Sequence, residues 1–415
     1  MRLEKVSMGI GDRFGRQGKA QLGALMRAKD AGRLVVPVWN KSHREHTIIG
    51  TTPNDVRLEA DRAVTALGWD RSYYVDADHI GLSNVNLFME SSDFFTLDVA
   101  DWTGKEAPQE EIEGFVGKHE DLLGTLELEG LSEPLIVDKE GLLATAGQYL
   151  LAAQEAGKIY RHIAEKKGED AFIAEVSMDE TEDPQTPMEL LLILAMLAEE
   201  GIPAQTIAPK FTGRFNKGVD YVGDVEEFAK EFREDVAVIV HARDRFELPS
   251  NLKLSVHSGS DKFSLYAPMS EALRDFDEGL HLKTAGTTWL EELIGLALSG
   301  SEGLSLARKV YEEAMGRFEE LCAPYAPVID IDPDRLPSVG EVQSWTGEEY
   351  ANALRHDPSS SSYNLHFRQM LHISYKVAAE MGSRYLDALD EFEGTIAENV
   401  GGNLFERHLK PILGL

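Results

Sequence analysis

The chain has almost no cysteine. Among its 415 residues only Cys322 carries a thiol, so no disulfide can form within one chain. Disulfides persist in oxidising compartments and are rare in the cytosol. The N-terminal stretch MRLEKVSMGIGDR lacks the apolar core of a secretory signal, and the longest apolar run, 190–198, is far shorter than the roughly 20 residues of a membrane span. These absences predict a cytoplasmic protein without a membrane segment.

Positive charge is also scarce. There are 41 basic and 72 acidic residues, which gives a formal net charge of −31. Nucleic acids and anionic lipids bind clustered Lys and Arg, so this balance argues against both as partners. A small-molecule substrate remains, and the sequence leaves open whether the chain forms a homo-oligomer. The 43% apolar content is sufficient for a large core.

Eight short β-rich segments recur along the chain, most of them followed by a helical pattern. The segments are mostly apolar, as expected for strands buried on both faces of a parallel sheet. Eight strands with helical crossovers predict an α/β fold, a (β/α)₈ TIM-type barrel. The predicted strands are 6–11, 34–39, 72–77, 94–99, 171–177, 205–211, 252–258 and 280–285.

Two stretches exceed a minimal barrel. Residues 103–170 are too long for one crossover, and they contain a hairpin pattern followed by a helix that opens near Asp138. A helical pattern fills most of the chain after the eighth strand, interrupted by a Pro-rich break at 324–337. We therefore expect a barrel over 1–330 with an insertion at about 103–170, and a helical C-terminal extension over 331–415 packed on the barrel.

Polar side chains gather at the C-terminal ends of six predicted strands. In a barrel these ends converge on one face, where the active sites of this fold lie. The convergence predicts a catalytic face rather than six unrelated strand endings. The clusters are Gly11-Asp12-Arg13, Asp76 to His79, Ser177 to Thr181, Lys210 with Arg214 and Lys217, His257 to Lys262, and His281 with Lys283 to Gly286.

Three histidines, His79, His257 and His281, stand at the ends of the third, seventh and eighth strands. Imidazole suits Zn, Mn, Ni, Co and Fe, and three protein ligands leave positions open for a substrate. Their spacing matches no short metal motif. From the residues alone, a divalent metal site and three histidines that each satisfy a backbone group are both open interpretations.

Charged residues at the same strand ends allow more than one use each. The carboxylates could transfer protons, bind a metal or cap the following helices. The cations could hold an anionic substrate or pair with those carboxylates. The carboxylates are Asp76, Asp78, Asp98, Asp179, Glu180 and Asp261, and the cations are Lys210, Arg214, Lys217, Lys262 and Lys283.

Glycine-rich turns follow the last two strands, at HSGSDK and KTAGT. Barrels often bind phosphate there through backbone N–H groups, which keeps a phosphosugar enzyme open. The sequence contains no GxGxxG after a strand and no Walker-type loop, so it gives no support for nicotinamide or ATP binding.

Several longer segments together resemble the tagaturonate epimerase family, over about residues 8–381. In chain order they are GDRFG, DADH, EVSMDETEDPQTP, KFTGRFNKGVDYVGD, HSGSDKFSLY, HLKTAGTTWLE and FRQMLHISY. The resemblance implies a divalent-metal-dependent interconversion of D-tagaturonate and D-fructuronate. It implies that His79, His257 and His281 bind the metal, that Asp78 accepts a proton and that Glu180 donates one. For substrate binding we expect Asp12, Arg13, Lys210, Asp261, Lys262 and Lys283.

The two sugar acids differ at the carbon next to the position alpha to the ketone, which simple enolisation does not acidify. Retro-aldol cleavage followed by re-addition, and reversible hydride transfer, could both invert that carbon. Retro-aldol chemistry requires only Lewis-acid stabilisation of an enolate and two proton-transfer groups, so it is favoured. The alternatives are another metal-dependent ketose or sugar-acid epimerase, isomerase or aldolase on the same barrel, and a non-catalytic carbohydrate-binding relative.

Overall fold

A computed structural model describes residues 1–131, 133–179, 181 and 183–415. It contains ten strands: β1 (Val6–Ile10), β2 (Val36–Ser42), β3 (Tyr74–Ile80), β4 (Phe94–Asp98), β5 (Gly124–Leu126), β6 (Leu135–Val137), β7 (Ile173–Ser177), β8 (Thr206–Ala208), β9 (Lys253–Val256) and β10 (Leu280–Lys283). All except β5 and β6 form one closed parallel barrel in the order β1-β2-β3-β4-β7-β8-β9-β10. Each overlaps one of the eight predicted segments, so the predicted barrel is confirmed.

The helices follow the strands and then continue beyond the barrel. They are α1 (Gly18–Asp30), α2 (His43–Ile49), α3 (Pro53–Leu67), α4 (Gln109–Lys118), α5 (Lys139–Lys167), α6 (Pro187–Glu199), α7 (Val225–Arg245), α8 (Phe263–Asp275), α9 (Thr288–Leu298), α10 (Ser301–Met315), α11 (Phe318–Cys322), α12 (Val339–Ser344), α13 (Gly347–Leu354), α14 (Leu365–His372), α15 (Tyr375–Glu380), α16 (Ser383–Glu391), α17 (Glu393–Gly402) and α18 (Lys410–Leu413).

The start of α6 shows how the sequence sets a helix boundary. Thr186 and Glu189 form a reciprocal capping box, and Pro187 occupies the first helical turn, where its missing N–H costs nothing. The residues from Leu190 to Leu197 are buried on every side. Such a helix is stabilised by burial all round rather than along one stripe.

The barrel interior changes from apolar to polar along the strands. At the N-terminal end Tyr74, Phe94 and Ile173 form a small apolar cluster with Leu3, Val36 and Val38. Side chains two residues further along a strand point to the same face. The positions two residues further along therefore also face the interior, and they are polar. They lie below the site described in the following subsection. They include Asp76, Thr96, Glu175, Thr206 and Ser255, all buried.

The insertion after β4 has the predicted parts. β5 and β6 pair antiparallel, with Gly124 opposite Val137. Helix α5 begins directly after them, and the Asp138 carboxylate accepts a hydrogen bond from the Gly141 N–H at 2.7 Å. This is an N-cap, the arrangement that the sequence indicated.

The helices from α9 onward enclose a second apolar core. It includes the buried rings of Trp289, Tyr311, Phe367 and Tyr385, and Phe14 from the loop after β1 packs into it. Apolar residues near the C-terminus, from Leu404 to Ile412, belong instead to the large core between the barrel strands and their helices, which includes Leu25, Leu97 and Leu194. The C-terminal helices are thus packed on the barrel, and the division at residue 330 stays a prediction.

No helix in the described ranges combines the length and the apolar composition that crossing a membrane requires.

Candidate active site at the barrel mouth

A cavity of about 400 Å³ opens at the C-terminal ends of the barrel strands. Both the barrel loops and the C-terminal helical region contribute to its wall. The lining side chains used below are Arg13, Asp78, His79, Asp179, Lys217, His257, Lys262, Lys283, Tyr325, His372 and Tyr375.

Two histidines and one carboxylate at the floor of this cavity could hold a metal ion. One ligand atom from each of His79, Asp179 and His257 lies within 4.8 Å of the others. Asp179 Oδ1 is 3.6 Å from His79 Nε2 and 3.1 Å from His257 Nδ1. Two imidazoles and a carboxylate are a donor set that divalent transition metals accept, with positions left for other ligands.

The backbone directs the first histidine toward the other two residues. The register between β3 and β4 shifts after Ala77, and His79 itself has φ 53°. A β-bulge of this kind turns a side chain away from the regular alternation, and positive φ in a residue other than glycine is uncommon. Ser258, directly after His257, also has positive φ, at 49°. Such backbone strain concentrates at functional sites.

The outer nitrogens of the two histidines each contact a carboxylate. His79 Nδ1 is 3.0 Å from Asp78 Oδ1, and His257 Nε2 is 2.7 Å from Glu175 Oε1. Carboxylates in these positions fix the tautomer and leave the inner nitrogen as a ligand. The inner Nε2 of His79 is buried and has no hydrogen-bond partner among the described residues. A buried ring nitrogen without a partner and two carboxylates that orient the histidines are features expected of a metal site.

Lys283 neutralises the carboxylates behind the histidines. Its buried ammonium lies 3.0 Å from Asp76, 2.7 Å from Asp78 and 3.0 Å from Glu175, and it donates to Thr96 Oγ1 at 2.8 Å. Three N–H bonds are therefore engaged by neighbours on the chain. An ammonium in this position has no donor left for a substrate.

The pKa values at this cluster follow from burial and from Lys283. Burial raises the pKa of Asp78 and Glu175, but Lys283 and the adjacent histidines outweigh burial and hold both pKa values well below the ordinary range. For Asp76 burial dominates, assisted by the charges of Asp78 and Glu175, and raises the pKa to about 7. Asp78 and Glu175 are therefore ionised at neutral pH.

His281 lies deeper than the other two predicted metal ligands. Its Nδ1 is 2.9 Å from Ser7 Oγ, and its ring packs on Phe94, with 5.2 Å between ring centroids. Burial lowers its pKa to about 3. His281 lies outside the group formed by His79, Asp179 and His257.

Two of the residues expected to bind substrate are engaged in local structure. The Asp12 carboxylate accepts hydrogen bonds from the N–H groups of Phe14, Arg16 and Gln17 at 2.9–3.1 Å. Asp261 is buried against Arg368 at 3.0 Å and accepts a hydrogen bond from the Thr287 hydroxyl. Neither carboxylate lines the cavity in the described part of the chain.

The predicted cations differ in position. Lys262 reaches the cavity wall, but its ammonium donates to the main-chain carbonyls of Asn216, Val219 and Ser260 at 2.8–3.0 Å. Lys210 donates to the carbonyl of Thr181 and lies away from the described cavity wall. Glu180, the predicted proton donor, lies outside the described residues.

Arg13, which was also expected to bind substrate, lines the cavity and has one donor nitrogen that no described residue engages. It pairs with Glu45, and its guanidinium lies 4.6 Å from the ring centroid of Tyr375. The Arg13 Nε is buried without a hydrogen-bond partner within the described ranges. The Tyr375 hydroxyl is in turn 3.1 Å from that of Tyr325. The Arg13 guanidinium is therefore held at this wall by Glu45 and by the ring of Tyr375.

Sequence reasoning missed three residues of the site and left the role of a fourth open. Asp179 was one of six candidate carboxylates, but it was not assigned to the metal. Glu175 lies within the apolar run AFIAEVS, where an isolated charge was a usable signal. His372 and Tyr375 come from the segment FRQMLHISY, and nothing in their local pattern indicates that α14 and α15 reach the barrel mouth.

Comparisons with known proteins agree on one family. The family profile of tagaturonate epimerase matches residues 1–392. The tagaturonate/fructuronate epimerase of Thermotoga maritima is 29% identical over 432 residues, covering 99% of this chain and 81% of that protein. A glycerol complex of the fructuronate-tagaturonate epimerase from Cohnella laeviribosi superposes with a TM-score of 0.81 at 24% identity, covering 100% of this chain and 82% of that one. The native structure gives 0.79 at the same identity and coverage.

Proposed function

This chain belongs to the tagaturonate epimerase family and is an epimerase, and we propose that it interconverts D-tagaturonate and D-fructuronate with the help of one divalent metal. The observation that carries the metal requirement is the group His79, Asp179 and His257, whose ligand atoms lie within 4.8 Å of one another. We propose Asp179 as the third ligand, instead of His281, which the family resemblance implied. When bound there, a divalent ion would act as a Lewis acid toward the ketone of the substrate.

The residues around this group support the proposal through their charges. Asp78 and Glu175 orient the two histidines, and Lys283 balances the negative charge that they add. Burial lowers the pKa of His257, but Asp179 and Glu175 outweigh burial and raise it. Because a metal ligand must lose its proton, metal binding at this histidine competes with protonation.

We propose Asp78 as the proton acceptor. Both of its contacts, to His79 and Lys283, use Oδ1, and among the described residues Oδ2 receives no hydrogen bond. The carboxylate is ionised and lines the cavity, as a base must. Glu180, which lies outside the described residues, remains the proposed proton donor.

Retro-aldol cleavage is the favoured route. Asp78 takes the proton of the hydroxyl on the carbon to be inverted, and the bond from that carbon to the alpha carbon breaks. The electron pair of that bond stays with the half that carries the ketone, which becomes an enolate, while the other half becomes an aldehyde. The aldehyde turns, the enolate carbon adds to its opposite face, and the new alkoxide takes up a proton. Only protons and one carbon–carbon bond change partners, so no redox group is required.

The substrate carboxylate requires a cation in the wall of the cavity. The ammonium groups of Lys262 and Lys283 are already fully engaged by chain neighbours. Arg13 has a buried Nε without a partner, and a guanidinium binds a carboxylate through two parallel bonds. We therefore propose Arg13 as the residue that holds the acid group.

The proposal is tested by incubating the metal-loaded protein with D-tagaturonate and identifying the product by NMR. We expect D-fructuronate, and the same equilibrium mixture from either sugar acid. Accumulation of two shorter fragments would mean that the protein is an aldolase, and an unchanged substrate would contradict the proposal. Substrate carrying deuterium on the inverted carbon separates the two routes. Retro-aldol cleavage leaves that C–H bond intact and the rate nearly unchanged, whereas hydride transfer breaks it and slows the reaction.

A further inference from the structure

We propose that His372, from the C-terminal helical region, binds a hydroxyl group of the sugar acid in the barrel-mouth cavity. This inference rests on the proposed function and adds a substrate contact from outside the barrel strands and their loops. His372 is the last residue of α14, and its ring lines the same cavity as His79, Asp179 and His257.

The ring is held between two barrel loops. A β-carbon added at Gly218, in the loop after β8, would stand 3.0 Å from His372 Cδ2. One added at Gly286, after β10, would stand 3.3 Å from His372 Nε2. Gly218 also has φ +73°, which favours glycine. Both loops therefore admit the imidazole through the absence of a side chain.

A buried arginine fixes one of these loops. Arg368, one helical turn before His372, is fully buried and donates to the carbonyl of Gly218 and to that of Leu354. Its remaining nitrogen pairs with Asp261 at 3.0 Å. Arg368 thus connects the helix that carries His372 to the opposing loop, and the packing of both against the ring gives it a defined position before any substrate binds.

The ring makes no hydrogen bond to any described residue, although the residue as a whole is only 4% exposed. Its nitrogens are not among the fully buried atoms without a partner, so they are open to the cavity that the ring lines. Buried polar groups in folded proteins almost always have a partner. A ring that is buried for structural reasons would be expected to have one. The cavity that it lines offers the missing partner from a bound ligand.

The charge of the ring suits a hydroxyl. Burial lowers the pKa of His372 well below its ordinary value, and the nearby charges of Arg13 and Lys217 lower it further. A neutral imidazole has one N–H donor and one acceptor nitrogen, as a hydroxyl partner requires. The acid group of the substrate is left to Arg13, and the hydroxyls of the sugar chain are left to His372.

Three variants of the full-length, metal-loaded protein test this inference: His372→Leu, His372→Gln, and His366→Gln as a control. His366 lies on the same helix and is buried, but its Nδ1 accepts a hydrogen bond from the Asp332 N–H, and it does not line the described cavity. For D-tagaturonate we expect His372→Leu to raise KM by about 10-fold or more, the factor that one lost hydrogen bond represents. His372→Gln should recover part of the loss, and His366→Gln should keep the wild-type KM.

Thermal unfolding supplies the second readout. Without substrate, His372→Leu should unfold near the wild-type temperature, because the ring makes no hydrogen bond to a described residue that the substitution could remove. With D-tagaturonate present, its melting temperature should rise less than that of the wild type. A wild-type KM and wild-type substrate stabilisation in both His372 variants would overturn the inference. So would a lower melting temperature with unchanged KM, which indicates a structural role.

The proposed function fails separately, if the wild-type protein does not convert D-tagaturonate. In that case, the rise in melting temperature on adding D-tagaturonate is still compared between the wild type and the His372 variants, and it tests the contact without catalysis.

Discussion

Lys283 provides the sharpest test of the electrostatics at the barrel mouth. Its ammonium is nearly inaccessible and lies within 3.0 Å of three carboxylates. Lys283→Met removes the charge and keeps most of the packing volume. We expect a large loss of stability, because the remaining carboxylates would be buried together without a cation.

The size of the effect follows from the distances. At an effective dielectric constant of 20, each contact of 2.7–3.0 Å represents roughly 5–6 kcal/mol of gross attraction, most of which is offset by desolvation. The variant can relieve the repulsion by taking up a proton. At pH 7, protonating one carboxyl with an ordinary pKa near 4 costs about 4 kcal/mol, and at pH 5 it costs about 1–2 kcal/mol. We therefore predict a destabilisation of about 4 kcal/mol at pH 7.

The pH dependence has a defined sign. In the wild type, Asp78 and Glu175 have lowered pKa values, so they contribute stability above about pH 4 and lose it as the pH falls. In Lys283→Met these pKa values would be raised instead, and stability would fall as the pH rises. The gap between the two proteins should therefore narrow from pH 7 to pH 5.

Urea unfolding of protein treated with a chelator measures the difference in the free energy of unfolding between the wild type and Lys283→Met at pH 7 and at pH 5. Lys118→Met is the matched control, since Lys118 pairs with Glu199 on the surface with 66% of its side chain exposed. It should cost less than about 1 kcal/mol at either pH. If Lys283→Met is as stable as this control while KM for D-tagaturonate rises, Lys283 serves the substrate and the electrostatic reasoning is wrong.

Two further predictions concern the cavity wall and a distant helix. Arg13→Gln should raise KM for D-tagaturonate by about 10-fold or more but leave turnover of a neutral ketose such as tagatose unaffected; equal losses for both sugars would refute a carboxylate contact. Asp235 is buried on α7 with neither carboxylate oxygen bonded in the described part of the chain, and burial, with Glu231 and Glu234, raises its pKa well above the ordinary value. A raised pKa means that stability is lost as the pH rises, so the stability of Asp235→Asn relative to the wild type should increase by roughly 1 kcal/mol per pH unit above about pH 5. If the free energies of unfolding of the wild type and Asp235→Asn change in parallel between pH 5 and pH 8, this prediction is contradicted.

The barrel could be predicted because its strands are short apolar runs with polar ends, a local pattern. The sequence does not show which of these polar residues meet at the barrel mouth. His281 and Lys283 both face the interior of β10, but the alternation that predicts this does not say which layer reaches the cavity. His79 lies close to Asp179 because β3 contains a bulge at which His79 has positive φ. Nothing in the segment DADH predicts that conformation.

The remaining differences depend on contacts between residues distant in the chain. Lys262 and Lys283 were suitable cations for a substrate until their partners, main-chain carbonyls in one case and carboxylates in the other, were known. Likewise, α14 has an ordinary amphipathic pattern, and only its packing on the barrel brings His372 to the cavity. Local sequence patterns carry no information about such pairings.

The central claim is that one divalent ion at His79, Asp179 and His257 makes this protein an epimerase. The most direct test is to chelate the protein, add a divalent metal back in steps, and follow conversion of D-tagaturonate with the bound metal measured at each step. We predict no conversion in the chelated protein, recovery that saturates at about one ion per chain, and no recovery in His257→Ala at the same metal concentrations. Full conversion by protein that retains no metal, or an equal response in His257→Ala, would contradict it.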